Sequence, residues 1–190
     1  LFVSIAGANP PTTNAATNAA HDSAGEPPAC TYADTATPLA KASQWQTTLL
    51  DTILRVPASY VPPLASVAGA GFGGGYRVRP EVISDLAALR KDAAAAGAPL
   101  KIVSAYRSYA TQASTFNGWV RQSGYSAALL ASARRGHSEH QLGTAVDFTS
   151  AAGGAPWSYR DWATTPAGAW MQANAWRYGF VMSYPKDTMA

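Results

Sequence analysis

The sequence predicts one small domain in which helices and short strands share a single core. Three observations carry that reading. A length of 190 residues allows one sizeable core and makes one domain the default. Apolar residues recur at helical spacing in some segments and alternate at strand spacing in others. Gly and Pro mark the boundaries between these segments.

Taken in order, residues 1–8 read Leu-Phe-Val-Ser-Ile-Ala-Gly-Ala, an apolar run closing on Ala-x-Ala like the end of a secretory signal. They are expected to be the remnant of a signal or anchor, with a structural strand as the alternative. Residues 9–41 shift to Ala, Thr, Asn, Pro and Ser and are expected to form a disordered linker. His21 lies there alone. So does Cys30, whose being the only cysteine excludes an intrachain disulfide.

The functional domain is expected over residues 42–190. Trp45, Leu49, Ile53 and Val56 recur at intervals of four, four and three, which predicts a helix that Pro57 ends. Val61-Pro62-Pro63-Leu64 reads as an extended connector. Residues 69–75 hold five glycines but lack the Lys-Ser/Thr of a phosphate loop, so a flexible loop is expected. Pro80 opens a second helix with Val82, Leu86, Leu89 and Ala93 on its buried stripe, and Gly97 stops it. Leu100 to Ser104 follows as a strand, and Ser108 caps the next helix. On that helix Gln112 shares a face with Phe116, Trp119 and Val120. A buried hydrogen-bonding glutamine and one pointing into a cleft are both open. Residues 126–134 read as a short helix. Thr165-Pro166 caps a last helix running to Tyr178, and a strand follows from Phe180 to Tyr184.

Composition narrows the function classes. The net charge of +3 and pI near 9.1 imply mild attraction to polyanions. Ten of the 14 basic residues are Arg, but only two of those arginines, Arg134 and Arg135, are adjacent, a poor footprint for nucleic acid. A polyanionic cell wall fits the charge equally well. No run of 18 apolar residues exists, so no membrane span is expected. Six Trp and nine Tyr are many for this length, and aromatics line sugar or peptide clefts as well as cores.

The chemistry concentrates in Gly136 to Asp147, which reads Gly-His-Ser-Glu-His-Gln-Leu-Gly-Thr-Ala-Val-Asp. Gly143 interrupts regular structure, and Thr144, Val146 and Phe148 alternate as a half-buried strand with Asp147 on the other face. A loop His140 delivered beside a strand Asp147 makes a pair of Zn²⁺ ligands. His137 stands at helical spacing from His140 and is an open third possibility, while Glu139 is expected to point away. A catalytic zinc uses about three protein ligands and an open position, so the residues alone give an incomplete site.

Ser138-x-His140-x-x-Gly143-x-Ala145-x-Asp147 resembles the zinc motif of the VanY-type D-alanyl-D-alanine carboxypeptidases, within the wider LAS metallopeptidase group. Ser104-x-Tyr106-Arg107-Ser108 followed by Gln112 is similar to that family's second motif. The likeness runs from Tyr60-Val61-Pro62-Pro63 to Tyr184-Pro185. It implies an α+β fold, a small single domain with an antiparallel sheet flanked by helices and carrying one Zn²⁺. It also implies His140 and Asp147 as metal ligands and Arg107 as the group stabilising the oxyanion. Ser138, Gln112 and Tyr106 would bind substrate. The implied activity is release of D-alanine from peptidoglycan stem peptides, outside the cytoplasm, by a monomer. A non-catalytic wall-binding module, or an L,D-carboxypeptidase or endopeptidase of the same fold, is the alternative. The family's base and third ligand come from a Glu-x-x-His-type or Glu-x-Trp-His segment soon after the Tyr-Pro strand, and neither is present here. The chain is therefore expected to be cut short and nearly inactive by itself.

Overall fold

A computed structural model describes residues 2–4, 42–48 and 50–182. The expected linker with His21 and Cys30, Leu49 of the first apolar stripe, and the end of the last strand lie outside the described residues.

A sheet of four strands in the order β4-β5-β1-β6 organises the domain. β4 (Leu100–Ser104) pairs antiparallel with β5 (Val146–Ser150). β1 (Phe2–Ser4) lies parallel to both β5 and β6 (Val181–Met182). The sheet is therefore mixed rather than wholly antiparallel. A separate hairpin joins β2 (Ala65–Ser66) to β3 (Arg77–Val78), and the glycine-rich segment is its connection.

The helix after Pro80 forms as its apolar period requires. A 3₁₀ turn over Pro80–Val82 leads into α1 (Ile83–Ala95). Val82, Leu86, Leu89 and Ala93 are all fully buried. Burying each leucine contributes about 1.5–3 kcal/mol. They pack on Ile102, Val146, Phe148, Met171 and Phe180 in the main core. Ser108 caps α2 (Tyr109–Ser123) by accepting from the Thr111 N–H at 3.1 Å. α3 (Tyr125–Ala131) is shorter than expected. Thr165 caps α4 (Pro166–Asn174), which continues as a 3₁₀ turn to Tyr178.

Among the described residues, the first helix expected from sequence does not form. A 3₁₀ turn over Ala42–Gln44 is followed by turns. The Asp51 carboxylate accepts from the backbone N–H groups of Ile53 and Leu54 at 2.7 and 2.6 Å. That local bonding competes with the helical ladder and leaves Ile53 exposed. Val56 is buried instead with Leu50 and Leu142 in a small second cluster, and its N–H donates to the Gly136 carbonyl. This cluster seats the turn that carries His140.

Candidate active site

Two features of β4 and β5 build the site. The register runs Leu100 to Ser150, Lys101 to Thr149 and Ile102 to Phe148, then shifts so that Ser104 faces Asp147. Such a bulge adds one residue to a strand and re-aims the side chains beyond it. Here it brings the Ser104 hydroxyl to the Asp147 carboxylate. β5 is buried on both faces rather than half-buried, since Asp147 and Thr149 are as enclosed as Val146 and Phe148.

His140 sits on a 3₁₀ turn over Glu139–Leu142, not in an extended loop, and Gly143 ends that turn in the left-handed region. Its ring Nδ1 is 2.6 Å from the Ala105 carbonyl. A carbonyl only accepts, so Nδ1 carries the hydrogen and the neutral ring presents a lone pair at Nε2. That Nε2 lies 3.3 Å from Asp147 Oδ2. Both Nε2 and Asp147 Oδ1 are buried without a hydrogen-bond partner. With the ring neutral, two donors to a cation face each other across this gap; with it protonated, the same contact is an ion pair. Burial pushes the Asp147 carboxyl up, but His140, Arg107 and Ser104 together outweigh it and hold its pKa below the ordinary aspartate value. The carboxylate is thus charged at neutral pH and suited to a metal.

The spacing fits the metal that the motif implies. Two donors each about 2.0–2.1 Å from one tetrahedral zinc stand roughly 3.3 Å apart. The imidazole also has the outer-shell carbonyl that orients a zinc-binding histidine. His140 and Asp147 would therefore hold the ion. Among the described residues, no cluster of three or more His, Cys, Asp and Glu is placed to hold a metal.

Arg107 adds the fixed positive charge. Its guanidinium donates to Ser104 Oγ at 3.1 Å and lies 3.8 Å from Asp147 Oδ2. The Arg107 side chain is 22% exposed against 9% for Asp147, so the arginine is reachable from solvent. Tyr106 is half-buried beside it, and its N–H donates to the Arg77 carbonyl. Burial pushes the Tyr106 phenol up, with Arg77 opposing and Tyr60 adding to the rise.

The remaining expected residues fall differently. Ser138 is buried and precedes the turn, but its hydroxyl makes no capping bond. Gln112 takes the hydrogen-bonding placement of its two alternatives. It is fully buried, and its Nε2 donates to Ala133 O at 2.6 Å and Ser132 Oγ at 3.2 Å. Direct contact with substrate is closed to it in this conformation. His137 turns away from the pair, its Nδ1 donating to the Asp51 carbonyl at 2.8 Å. Sequence reasoning did not assign roles to Ser104, Ala105 and Gln141, whose Oε1 accepts from the Gly136 N–H at 2.6 Å. Motif spacing carries no signal for a backbone carbonyl or a loop-closing amide.

The α+β domain sets a buried His–Asp pair beside an accessible arginine, and comparison with known proteins gives its class. Residues 75–190 match the VanY family, described as D-alanyl-D-alanine carboxypeptidase. The chain belongs to that family. It is 37% identical over 110 residues to YodJ of Bacillus subtilis (strain 168), named as a carboxypeptidase, covering 58% of this chain and 40% of that protein. The chain thus spans about two-fifths of that relative's length. Among solved structures, the LdcB LD-carboxypeptidase superposes with a TM-score of 0.61 at 32% identity, over 73% of this chain and 67% of the other. A variant of the VanY D,D-pentapeptidase from a VanB-type vancomycin-resistance cassette, solved with Zn(II), gives 0.62 at 25% identity, over 76% and 79%.

Proposed function

We propose that this chain carries the zinc-binding and carbonyl-polarising part of a carboxypeptidase that removes D-alanine from D-Ala-D-Ala-terminated stem peptides of peptidoglycan, outside the cytoplasm. The single observation that carries the reading is His140 Nε2 facing Asp147 Oδ2 at 3.3 Å with Arg107 alongside. Membership of the VanY family and the Zn(II)-bound structural neighbour support it. A bound zinc supplies Lewis acidity toward a peptide carbonyl and lowers the pKa of water.

The chain's own groups then divide the work. Asp147 and His140 would hold the ion, with Ala105 fixing the imidazole. The Arg107 guanidinium, anchored on Ser104, faces the charge that develops on the scissile carbonyl oxygen. Preorganised charge of this kind acts most strongly where charge grows in the transition state. Tyr106 and Ser138 border the peptide's terminal portion, and Gln112 supports the wall behind them by tying α2 to residues 132 and 133. Among the described residues, no third His, Cys, Asp or Glu joins the pair.

A second reading is a wall-binding module of the same fold that binds zinc without hydrolysis. Zinc titration of parent and His140→Ala, with D-alanine release from D-Ala-D-Ala and L-Lys-D-Ala peptides by the native protein, separates the readings. Zinc-dependent release from the first peptide, lost in His140→Ala, supports the proposal. Preference for the second peptide moves the assignment to L,D-cleavage. Zinc binding without release favours the module, and equal zinc content in parent and variant removes the metal site.

A further inference from the structure

We infer that Arg79 is a positioning residue that holds the His140 turn in the geometry that aims Nε2 at Asp147. Arg79 is a charged side chain only 3% exposed, and among the described residues no carboxylate pairs with it. Its contacts converge on the metal motif. Nε donates to the Leu142 carbonyl at 2.8 Å, and the backbone N–H donates to the Gly143 carbonyl at 2.8 Å. A terminal nitrogen donates to the Tyr60 hydroxyl at 2.8 Å. The guanidinium lies over the Trp45 ring, 4.3 Å from its centroid. A cation over an aromatic face retains part of its stabilisation when water is removed.

The placement explains why the arginine is buried. The turn over Glu139–Leu142 leaves carbonyls at its end without helical partners. Arg79 supplies donors to two successive carbonyls from a separate element next to β3. On the opposite side, the Arg107 N–H donates to the His140 carbonyl at 3.3 Å and Ala105 holds the ring. The ligand turn is thus clamped between residues 105–107 and Arg79. Lysine cannot reproduce this arrangement, because one ammonium lacks the planar fork that reaches Leu142 and Tyr60 together. Among the described residues, the Arg79 side chain contacts Leu142, Tyr60 and Trp45 rather than Asp147 or Arg107. Its effect on the site passes through the backbone.

The inference rests on the reading of His140 and Asp147 as metal ligands, and the test separates the two. Zinc is titrated into parent, Arg79→Lys, Tyr60→Phe, Arg90→Lys and His140→Ala, with thermal midpoints measured alongside. Arg90 is the control, since its guanidinium also lies over an aromatic ring, Phe72, but away from the motif. The His140 ring is followed by nitrogen-detected NMR in the metal-free protein, which reports the Nδ1–H bond to Ala105 directly. Arg79→Lys is expected to weaken zinc binding by about 10-fold, within the range of roughly 10–100-fold seen for outer-shell changes. Its His140 signals should shift or broaden. Tyr60→Phe should change both in the same direction by less, and it keeps the test open if Arg79→Lys fails to fold. Arg90→Lys should move neither. Unchanged zinc affinity and His140 signals in both Arg79→Lys and Tyr60→Phe, against a parent whose binding is lost in His140→Ala, overturn the positioning role. A parent that binds zinc no better than His140→Ala refutes the metal reading instead, while the metal-free NMR still decides whether Arg79 orders the turn.

Discussion

Replacing Gly143 by alanine isolates the packing that holds the ligand turn. Gly143 has φ +77° and Gly97 has φ +73°, so an alanine at either meets nearly the same backbone penalty. That penalty is about 1–2 kcal/mol, partly offset by about 0.4–1 kcal/mol from the stiffer unfolded chain. The surroundings differ. A Cβ at Gly97 meets nothing within 4 Å, whereas one at Gly143 comes to 3.3 Å from Arg79 Cγ, Leu64 Cδ2 and Pro62 Cγ. Carbon pairs prefer about 3.5–4.0 Å, and forced overpacking of this kind costs about 1–3 kcal/mol. Gly143→Ala should therefore be less stable than Gly97→Ala by about 2 kcal/mol. At about 2–4 °C per kcal/mol for a domain of this size, the gap in Tm is roughly 4–8 °C. Thermal and urea unfolding of the two variants, with zinc titration of each, measure it. Gly143→Ala should also bind zinc more weakly, and Gly97→Ala should match the parent. Equal Tm losses would refute the claim that residues 62, 64 and 79 press on this turn.

Two further outcomes follow from buried polar groups. His137 has its pKa lowered below 6.5, chiefly by burial, against its bond to Asp51 and helped by Arg134 and Arg55. Below that value the unfolded chain binds the extra proton first. The stability is therefore complete above about pH 6.5 and falls as pH drops toward the folded pKa. The urea midpoint should decline from pH 7.5 to 5 in the parent and decline less in His137→Asn; identical slopes would exclude His137 as the cause. Gln112→Met keeps the side chain's length but removes the donor to Ala133 and Ser132. A loss of about 1–3 kcal/mol in stability is expected, with KM in the native protein unchanged. A raised KM at undiminished stability would return Gln112 to the substrate side.

Much of the site was legible because its residue types are constrained locally. His140 and Asp147 stand at the family motif's spacing, Gly143 answers a left-handed turn, and Ser108 and Thr165 answer helix starts. The stripe Val82, Leu86, Leu89 and Ala93 was legible for the same reason, since one period decides which face meets the core. The first apolar stripe misled because its period matched a helix while Asp51 bonded the backbone of residues 53 and 54. Periodicity does not report that competition.

By itself the sequence pointed to the family, to His140 and Asp147 as the candidate pair, and to the helices after Pro80, Ser108 and Thr165. Only the tertiary structure decided how the pair is aimed. The bulge that turns Ser104 toward Asp147, the Ala105 carbonyl that sets the imidazole tautomer and the Arg79 clamp on the turn join residues from different elements. The reason is physical. Ligand identity is a property of one side chain, whereas ligand direction depends on strand register and on which buried donors find which carbonyls, and those are fixed only when the chain has folded.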